Sequence, residues 1–215
     1  MNKLKLFIVG CGNVGGFVAY NFDNFNKENF EIQGFLDDDS QKHGKFFFGY
    51  PVLGDIGLLE NENQKIAVVI GIADPVMKKN VKERIKSPNI TFPALVSKDA
   101  WISNEVTIGD GAVIYPGVTI DYHVRIGDFV LVNKNCSLGH DSQLSRFSTL
   151  APGVCLAGFT HLEECVNIGI NAATKQNVHI GKGSIIGGMS MVIKDMPENI
   201  TAVGVPARII KQKKE

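Results

Sequence analysis

From Ile102 onward an aliphatic residue returns at every sixth position. The series runs Ile102, Ile108, Ile114, Ile120, Ile126, Val132, Leu138, Leu144, Leu150, Leu156, Leu162, Ile168, Ile180, Ile186 and Val192, broken only by Thr174. Two positions before each stands a small or β-branched residue, among them Ala100, Val118, Cys136, Ser142, Ser148 and Ser190. A period of six is neither helical nor a simple strand alternation. It suits short strands joined by tight corners, with one bulky and one small side chain per strand turned inward. Gly109, Gly127, Gly139, Gly169, Gly181 and Gly187 each follow the aliphatic position directly. They are expected to supply corner conformations that a Cβ would hinder.

Residues before about 97 follow a different rhythm. KLKLFIV reads as a buried strand, the stretch from the glycine loop to about Asn26 as a helix, and FEIQGFL as a second strand ending at Asp37. Short pieces lie around Pro51–Leu59, KIAVVIG is a third strand, and Asp74 to Lys86 reads as a helix with Pro75 in its first turn. ITFPALV leads into the periodic region. Alternating strands and helices predict a parallel α/β sheet. Two domains are expected, 1–97 and 98–215.

The hexad pattern resembles the hexapeptide-repeat, left-handed parallel β-helix, in which three strands make one triangular coil of eighteen residues. The resemblance implies about five coils stacked ~4.8 Å apart. The segment Pro197 to Arg208 reads as a closing cap. The expected fold is thus an α/β Rossmann-like half-domain followed by that β-helix.

Between the first strand and helix stands Gly10-Cys11-Gly12-Asn13-Val14-Gly15, a G-x-G-x-x-G spacing that lets a phosphate approach a helix N-terminus. Asp37 lies 22 residues beyond Gly15, where a ribose-binding acid would sit. Fewer than a hundred residues hold only about half of a full dinucleotide fold. A nucleotide-linked ligand therefore fits better than a hydride cofactor, although the loop taken alone also reads as NAD-binding, or simply as a tight strand–helix turn.

Charge narrows the choice of partners. Lys+Arg and Asp+Glu both number 22. That balance argues against a dedicated nucleic-acid or anionic-membrane binder. The one basic cluster, Lys211, Lys213 and Lys214, reads as a solvated end. Cys11, Cys136, Cys155 and Cys165 contain no Cys-x-x-Cys pair and read as reduced thiols of a cytoplasmic protein. The apolar stretch in MNKLKLFIVGCG is too short for a signal-peptide core or a membrane span, and no other segment reaches spanning length.

The candidate chemistry lies in SLGHDS, residues 137–142. Leu138 and Ser142 occupy inward positions, which turns His140 and Asp141 outward. An outward imidazole can take a proton near neutral pH, and a neighbouring carboxylate can fix its tautomer. One flat coil face cannot enclose a substrate, so a homotrimer with three equivalent sites is expected.

Taken together, the small α/β domain, GDIGLL, FPALV, the coil, SLGHDS and the ending GVPAR at 204–208 resemble the bacterial sugar acetyltransferases of the bacillosamine N-acetyltransferase and sialic-acid O-acetyltransferase type. The resemblance implies direct transfer from acetyl-CoA to the amine of a nucleotide-linked amino sugar. It implies His140 as base, Asp141 as its partner and Asn133 near the same centre. It further implies Gly10, Gly12, Asn13, Asp37 and Asp38 on the sugar nucleotide, and Gly158, Ile170, Gly188, Pro206, Ala207 and Arg208 on acetyl-CoA. Val14, Ser97, Thr149 and Gly139 depart from residues common in the family. Sugar O-acetylation, a non-catalytic sugar-nucleotide-binding trimeric module and an NAD-dependent enzyme are the alternative readings.

Other constellations are weaker. His161 and His179, eighteen apart, are expected to stack ~5 Å apart on one face. With no evident third ligand, no metal is expected. His123 is out of phase with both. Cys136 is expected inward and Cys165 outward, Met189 and Met191 as packing residues, and Trp101 as a plug for the end of the coil.

Overall fold

The computed structural model describes residues 3–26, 29–60 and 62–212. The chain divides between Leu95 and Val96 into two compact units.

The first unit is a six-stranded sheet. Its strands are β1 (Leu4–Val9), β2 (Phe30–Leu36), β3 (Phe46–Phe47), β4 (Tyr50–Gly54), β5 (Ile66–Ile70) and β6 (Ile90–Thr91), in the order β3-β4-β2-β1-β5-β6. All neighbours are parallel except the β3–β4 hairpin at one edge. Every residue of β5 is buried, as its unbroken apolar run requires of a parallel strand flanked on both sides. Val9, Leu36, Ile56, Leu59, Ile66 and Val68 form a core cluster with Ile85 and Ile90.

Helix α1 spans Asn13–Tyr20, short of the expected Asn26, and a 3₁₀ turn follows at Phe22–Asn24. Asn21 ends it. Both its amide and its side chain donate to the Phe17 carbonyl, at 3.1 and 2.9 Å. A side-chain amide competing for helix carbonyls in this way is why Asn favours helix ends. Helix α2 (Pro75–Arg84) begins as expected, with Asp74 accepting the Met77 N–H at 2.8 Å.

The second unit is a parallel β-helix. Sixteen two-residue strands run from Trp101–Ile102 to Met191–Val192, each followed by a corner. Those before the last coil pair with the strand eighteen residues on: Thr119 with Ser137, Arg125 with Gln143, Leu131 with Thr149. The aliphatic column is the core. Ile114, Ile120, Leu138, Leu150, Leu162 and Ile186 are fully buried. Each such side chain contributes roughly 1.5–3 kcal/mol by leaving water.

The corners differ from expectation. A left-handed residue recurs every six positions from Glu105 to Met189, at all fifteen corners, and only Gly111, Gly117, Gly153 and Gly183 among them are glycine. Gly109, Gly127, Gly139, Gly169, Gly181 and Gly187 lie two residues earlier, and none has a left-handed φ. They are small because the next coil passes close by. A Cβ on Gly139 would sit 2.5 Å from the Gly158 nitrogen, and one on Gly169 2.5 Å from the Gly188 nitrogen.

Further corrections follow from the strand alternation. Trp101 precedes an inward position, so it faces outward and is 60% exposed; it plugs nothing. Met189 occupies a corner and is also exposed, while Met191 is half-buried. Cys165 points away from the interior yet is buried at its corner. Cys136 faces inward, and burial pushes its thiol up to about 11. The cap runs past Arg208: Ile200–Val203 joins one face and pairs antiparallel with Arg208–Gln212. Lys211 is thus a strand residue opposite Thr201, and Lys213 and Lys214 lie outside the described residues.

Thr174, the one break in the aliphatic column, is buried and alters the ladder. Neighbouring backbone rungs join an N–H to the carbonyl seventeen residues on, as Gly139 to Leu156. The Ala157 N–H goes instead to the Thr174 hydroxyl at 3.1 Å. Thr174 in turn contacts the Thr160 hydroxyl at 2.8 Å, and Thr160 donates to the Ala157 carbonyl at 2.6 Å. Both backbone groups of Ala157 are thereby tied to the interior.

Candidate active site

His140 and Asp141 form the two-residue corner between Ser137–Leu138 and Gln143–Leu144. Along a strand, successive side chains diverge. Here Asp141 is left-handed, with φ 59°, and the fold of the chain brings the two side chains together. Nδ1 of His140 lies 2.9 Å from Oδ2 of Asp141. That hydrogen bond, and secondarily one with His123, holds the Asp141 carboxyl below its usual range.

The ring lies outside the prism but is only one-third exposed. Tyr122, one coil before, stacks on it at 5.3 Å and 13°. Phe159, one coil after, meets it edge-on at 5.1 Å. Gly158 makes the room: a Cβ there would lie 2.7 Å from Nε2 and 2.8 Å from Cε1. Gly158 is buried, and its own N–H has no acceptor among the described residues. With Nδ1 donating to a carboxylate, Nε2 carries the lone pair. In that tautomer the corner sets the Nε2 lone pair by Gly158, whose N–H has no acceptor among the described residues.

Asp141 has a second partner that sequence reasoning passed over. Its Oδ1 lies 3.2 Å from Nδ1 of His123, whose Nε2 is 3.1 Å from Oε2 of Glu105. His123 is out of phase with His161 and His179, yet it lies eighteen residues before Asp141. Counting eighteen from His140 and Asp141 finds Tyr122, Gly158, His123 and Phe159 at once.

Asn133 is not on this corner. It precedes the Lys134–Asn135 corner, one prism side away, and its Oδ1 accepts the Lys134 N–H at 2.9 Å. Ile170 and Gly188 stand in the same column as that corner, two and three coils on. Ile170 is half exposed, and a Cβ on Gly188 would meet its side chain at 2.9 Å. Arg208 donates to the Ala207 carbonyl at 3.0 Å within the cap that also carries Pro206. His161 and His179 do stack, with ring centroids 5.0 Å apart, and His179 pairs with Glu163 at 3.1 Å. Burial, and then His179, pushes the His161 imidazole below its usual value. Among the described residues no group of three His, Cys, Asp or Glu is placed to hold a metal.

A second candidate site lies wholly in the first unit. Gly10, Gly12, Asn13, Asp37 and Asp38 line one cavity of about 510 Å³, together with Lys42, Gly71 and Asp74. It opens at the C-terminal ends of β1, β2 and β5, where the strand order reverses, the usual ligand crevice of such sheets. A Cβ on Gly15 would overlap the Gly10 carbonyl oxygen, whereas one on Gly12 would meet nothing within 4 Å. Gly15 thus serves close helix–strand packing, and Gly12 leaves the backbone open to the cavity.

Asp37 does not project freely as a ribose acid would. Its Oδ2 accepts the Cys11 N–H at 2.8 Å and Lys42 at 3.0 Å, and its Oδ1 accepts the Asp39 N–H at 3.0 Å. Burial alone would raise this carboxyl, but the two amides and Lys42 outweigh it and hold it below its usual range. Asp38 forms a two-pronged pair with Arg84, which lowers its carboxyl likewise.

Residues 5–85 match the PglD N-terminal domain. The chain is 32% identical over 174 residues to the GDP-perosamine N-acetyltransferase of Escherichia coli O157:H7, covering 79% of each chain. The chain belongs to the hexapeptide-repeat sugar acetyltransferase family. It is an acyltransferase, and its coil is the left-handed parallel β-helix of that family. The acetyltransferase domain of PglB from Neisseria gonorrhoeae FA1090, solved in complex with acetyl coenzyme A, superposes with TM-score 0.86 at 25% identity, covering 97% of this chain and 100% of that one. PerB from Caulobacter crescentus, solved with CoA and GDP-perosamine, shares the fold with TM-score 0.86 at 24% identity, covering 96% and 97%. No helix among the described residues is long and apolar enough to cross a membrane.

Two outcomes are expected. Gly158→Ala should push the His140 ring off its seat and lower kcat by up to ~10²-fold, the scale of a misplaced reacting group, with an unchanged circular dichroism spectrum. Unaltered turnover would show that the seat does not matter. Asp37, whose carboxyl is lowered by folding, adds stability that is present above its unfolded pKa of ~3.9 and is lost as pH falls through the lower folded value. Asp37→Asn should therefore flatten the fall in Tm between about pH 5 and pH 2; a wild-type slope in the variant would contradict the assignment.

Proposed function

We propose that this chain transfers the acetyl group of acetyl-CoA to the amine of a nucleotide-linked amino sugar, with His140 as general base. One observation carries the base assignment: Nδ1 of His140 is held by Asp141 at 2.9 Å, while Nε2, seated over Gly158, has no partner among the described residues. The acceptor nitrogen attacks the thioester carbonyl and forms the new C–N bond. Nε2 takes the amine proton, and Asp141 stabilises the imidazolium that results. The Gly158 N–H donates to the oxyanion, a role in which one buried donor is worth about 10²–10³ in rate. Collapse of the adduct breaks the C–S bond, and CoA leaves as its thiolate, to which the imidazolium returns the proton.

The sugar nucleotide is assigned to the cavity of the first unit, domain 1–97, through Gly10, Gly12, Asn13 and Asp38, with Asp37 holding the glycine loop in place. Its volume of about 510 Å³, within the roughly 300–1,000 Å³ of small-molecule and cofactor sites, and its place at the strand-order reversal support this. Acetylation is assigned to the coil, domain 98–215, with acetyl-CoA on Gly158, Ile170, Gly188, Pro206 and Arg208.

Those residues occupy two corners of the prism. His140, Asp141 and Gly158 share one; Asn133, Ile170 and Gly188 share another. One groove would hold both sets if one corner of a protomer met the other corner of its neighbour. This supports a homotrimer with three equivalent sites, working in the cytoplasm where both substrates would be found. Sedimentation equilibrium should give a trimer, and a monomer under assay conditions would rule the shared groove out.

The substrate class is tested by thiol release from acetyl-CoA with UDP-, dTDP- and GDP-linked amino sugars, set against free sialic acids. Release with a nucleotide amino sugar is expected. His140→Ala should lower kcat on it by ~10²–10⁴-fold with the fold intact. A loss below about tenfold removes the base assignment, and release only with sialic acid moves the reaction to a hydroxyl.

A further inference from the structure

Asp141 holds two imidazoles, and only one of them is the proposed base. Its Oδ2 faces Nδ1 of His140 at 2.9 Å, and its Oδ1 faces Nδ1 of His123 at 3.2 Å. The eighteen-residue register places Glu105, His123 and Asp141 in one column, and Nε2 of His123 lies 3.1 Å from Glu105. The same corner also supplies Tyr122, the ring stacked on His140. His123 and Tyr122 thus grip the two halves of the His140–Asp141 pair from the coil before.

The need for this grip is geometric. The Asp141 side chain is about 29% exposed and sits on a left-handed corner. One hydrogen bond fixes one carboxylate oxygen but leaves the carboxylate plane free to turn. A second bond to the other oxygen fixes the plane. Glu105 is largely exposed, so its own pair with His123 is worth little, and the bond from His123 to Asp141 is the one that matters.

We propose that His123 is a positioning residue for acyl transfer: it locks the Asp141 carboxylate so that Nδ1 of His140 keeps its proton and Nε2 remains the basic nitrogen. The proposal rests on His140 being the base. No role in substrate binding is assigned to His123.

The test is steady-state kinetics on the full chain with acetyl-CoA and the nucleotide amino sugar it turns over. His123→Phe keeps an aromatic ring and removes the hydrogen bond. Its kcat should fall roughly tenfold, part of what a misaligned catalytic group loses, while KM for both substrates stays within about twofold. His123→Gln, which returns an N–H donor, should recover most of the loss. If His123→Phe does not fold, His123→Leu takes its place in the same comparison. A wild-type kcat in the apolar variant overturns the proposal. So does a raised KM at unchanged kcat, or a Gln variant no better than the apolar one at equal Tm. His140→Ala separates the two ideas. Near-wild-type activity there overturns the base reading and this proposal with it. An inactive His140→Ala beside an unaffected His123→Phe overturns this proposal alone.

Discussion

The backbone hydrogen bond from a strand N–H to the carbonyl seventeen residues ahead governs the second unit. Thr119 to Cys136, Ser137 to Val154 and Gly139 to Leu156 are typical rungs. Because these rungs share one separation until the last coil meets the cap, a side chain lies over its counterpart eighteen residues on, from Trp101 to Val192. An inserted or deleted residue would shift every later inward position out of the core, so the register is held by the whole aliphatic column. The active corner exists because of it. Tyr122, His140 and Gly158 form one stack, and Glu105, His123, Asp141 and Phe159 form its neighbour.

Within that frame, local backbone geometry determines which side chains can meet. The left-handed residue at each corner lets two adjacent side chains converge where a strand would part them. Left-handed backbone costs an ordinary residue roughly 1–2 kcal/mol and is easier for Asn and Asp. The coil accepts it at Phe129, Phe147 and Phe159, where the ring then stacks or packs on an adjacent coil. At Asp141 the strain is small and the gain is chemical, since the carboxylate comes to face the imidazole. The buried hydroxyls of Thr160 and Thr174 hold Ala157 from inside, and so fix the seat beneath the ring.

The first unit is governed by strand order. β1 lies between β2 and β5, and the chain leaves in opposite directions on either side of it. The loops after these strands diverge and leave a crevice, into which Gly12, Asn13, Asp38 and Asp74 project. Asp37 ties the glycine loop down by accepting the Cys11 N–H, so the open backbone at Gly12 keeps its shape. A short chain can build such a crevice because the reversal needs only three strands.

Much of this was written in the residues themselves. The sixfold recurrence of Ile, Val and Leu determined the coil, because only one inward direction per strand can be apolar in a prism. The same phase turned His140 and Asp141 outward, and G-x-G-x-x-G after a buried strand marked the crevice. Other features depend on what the next coil does, which the local sequence does not state. Gly139 and Gly169 look like corner residues but are small for the backbone passing beside them, while most of the true left-handed positions carry a residue other than glycine. Trp101 looks like a plug and faces solvent. His123 looks isolated, and Thr174 looks like a flaw in the pattern, until stacking brings one to Asp141 and the other to Ala157. Periodicity along the chain thus determined which way each side chain points; the tertiary structure alone decided what each one meets, because those contacts join residues a full coil apart.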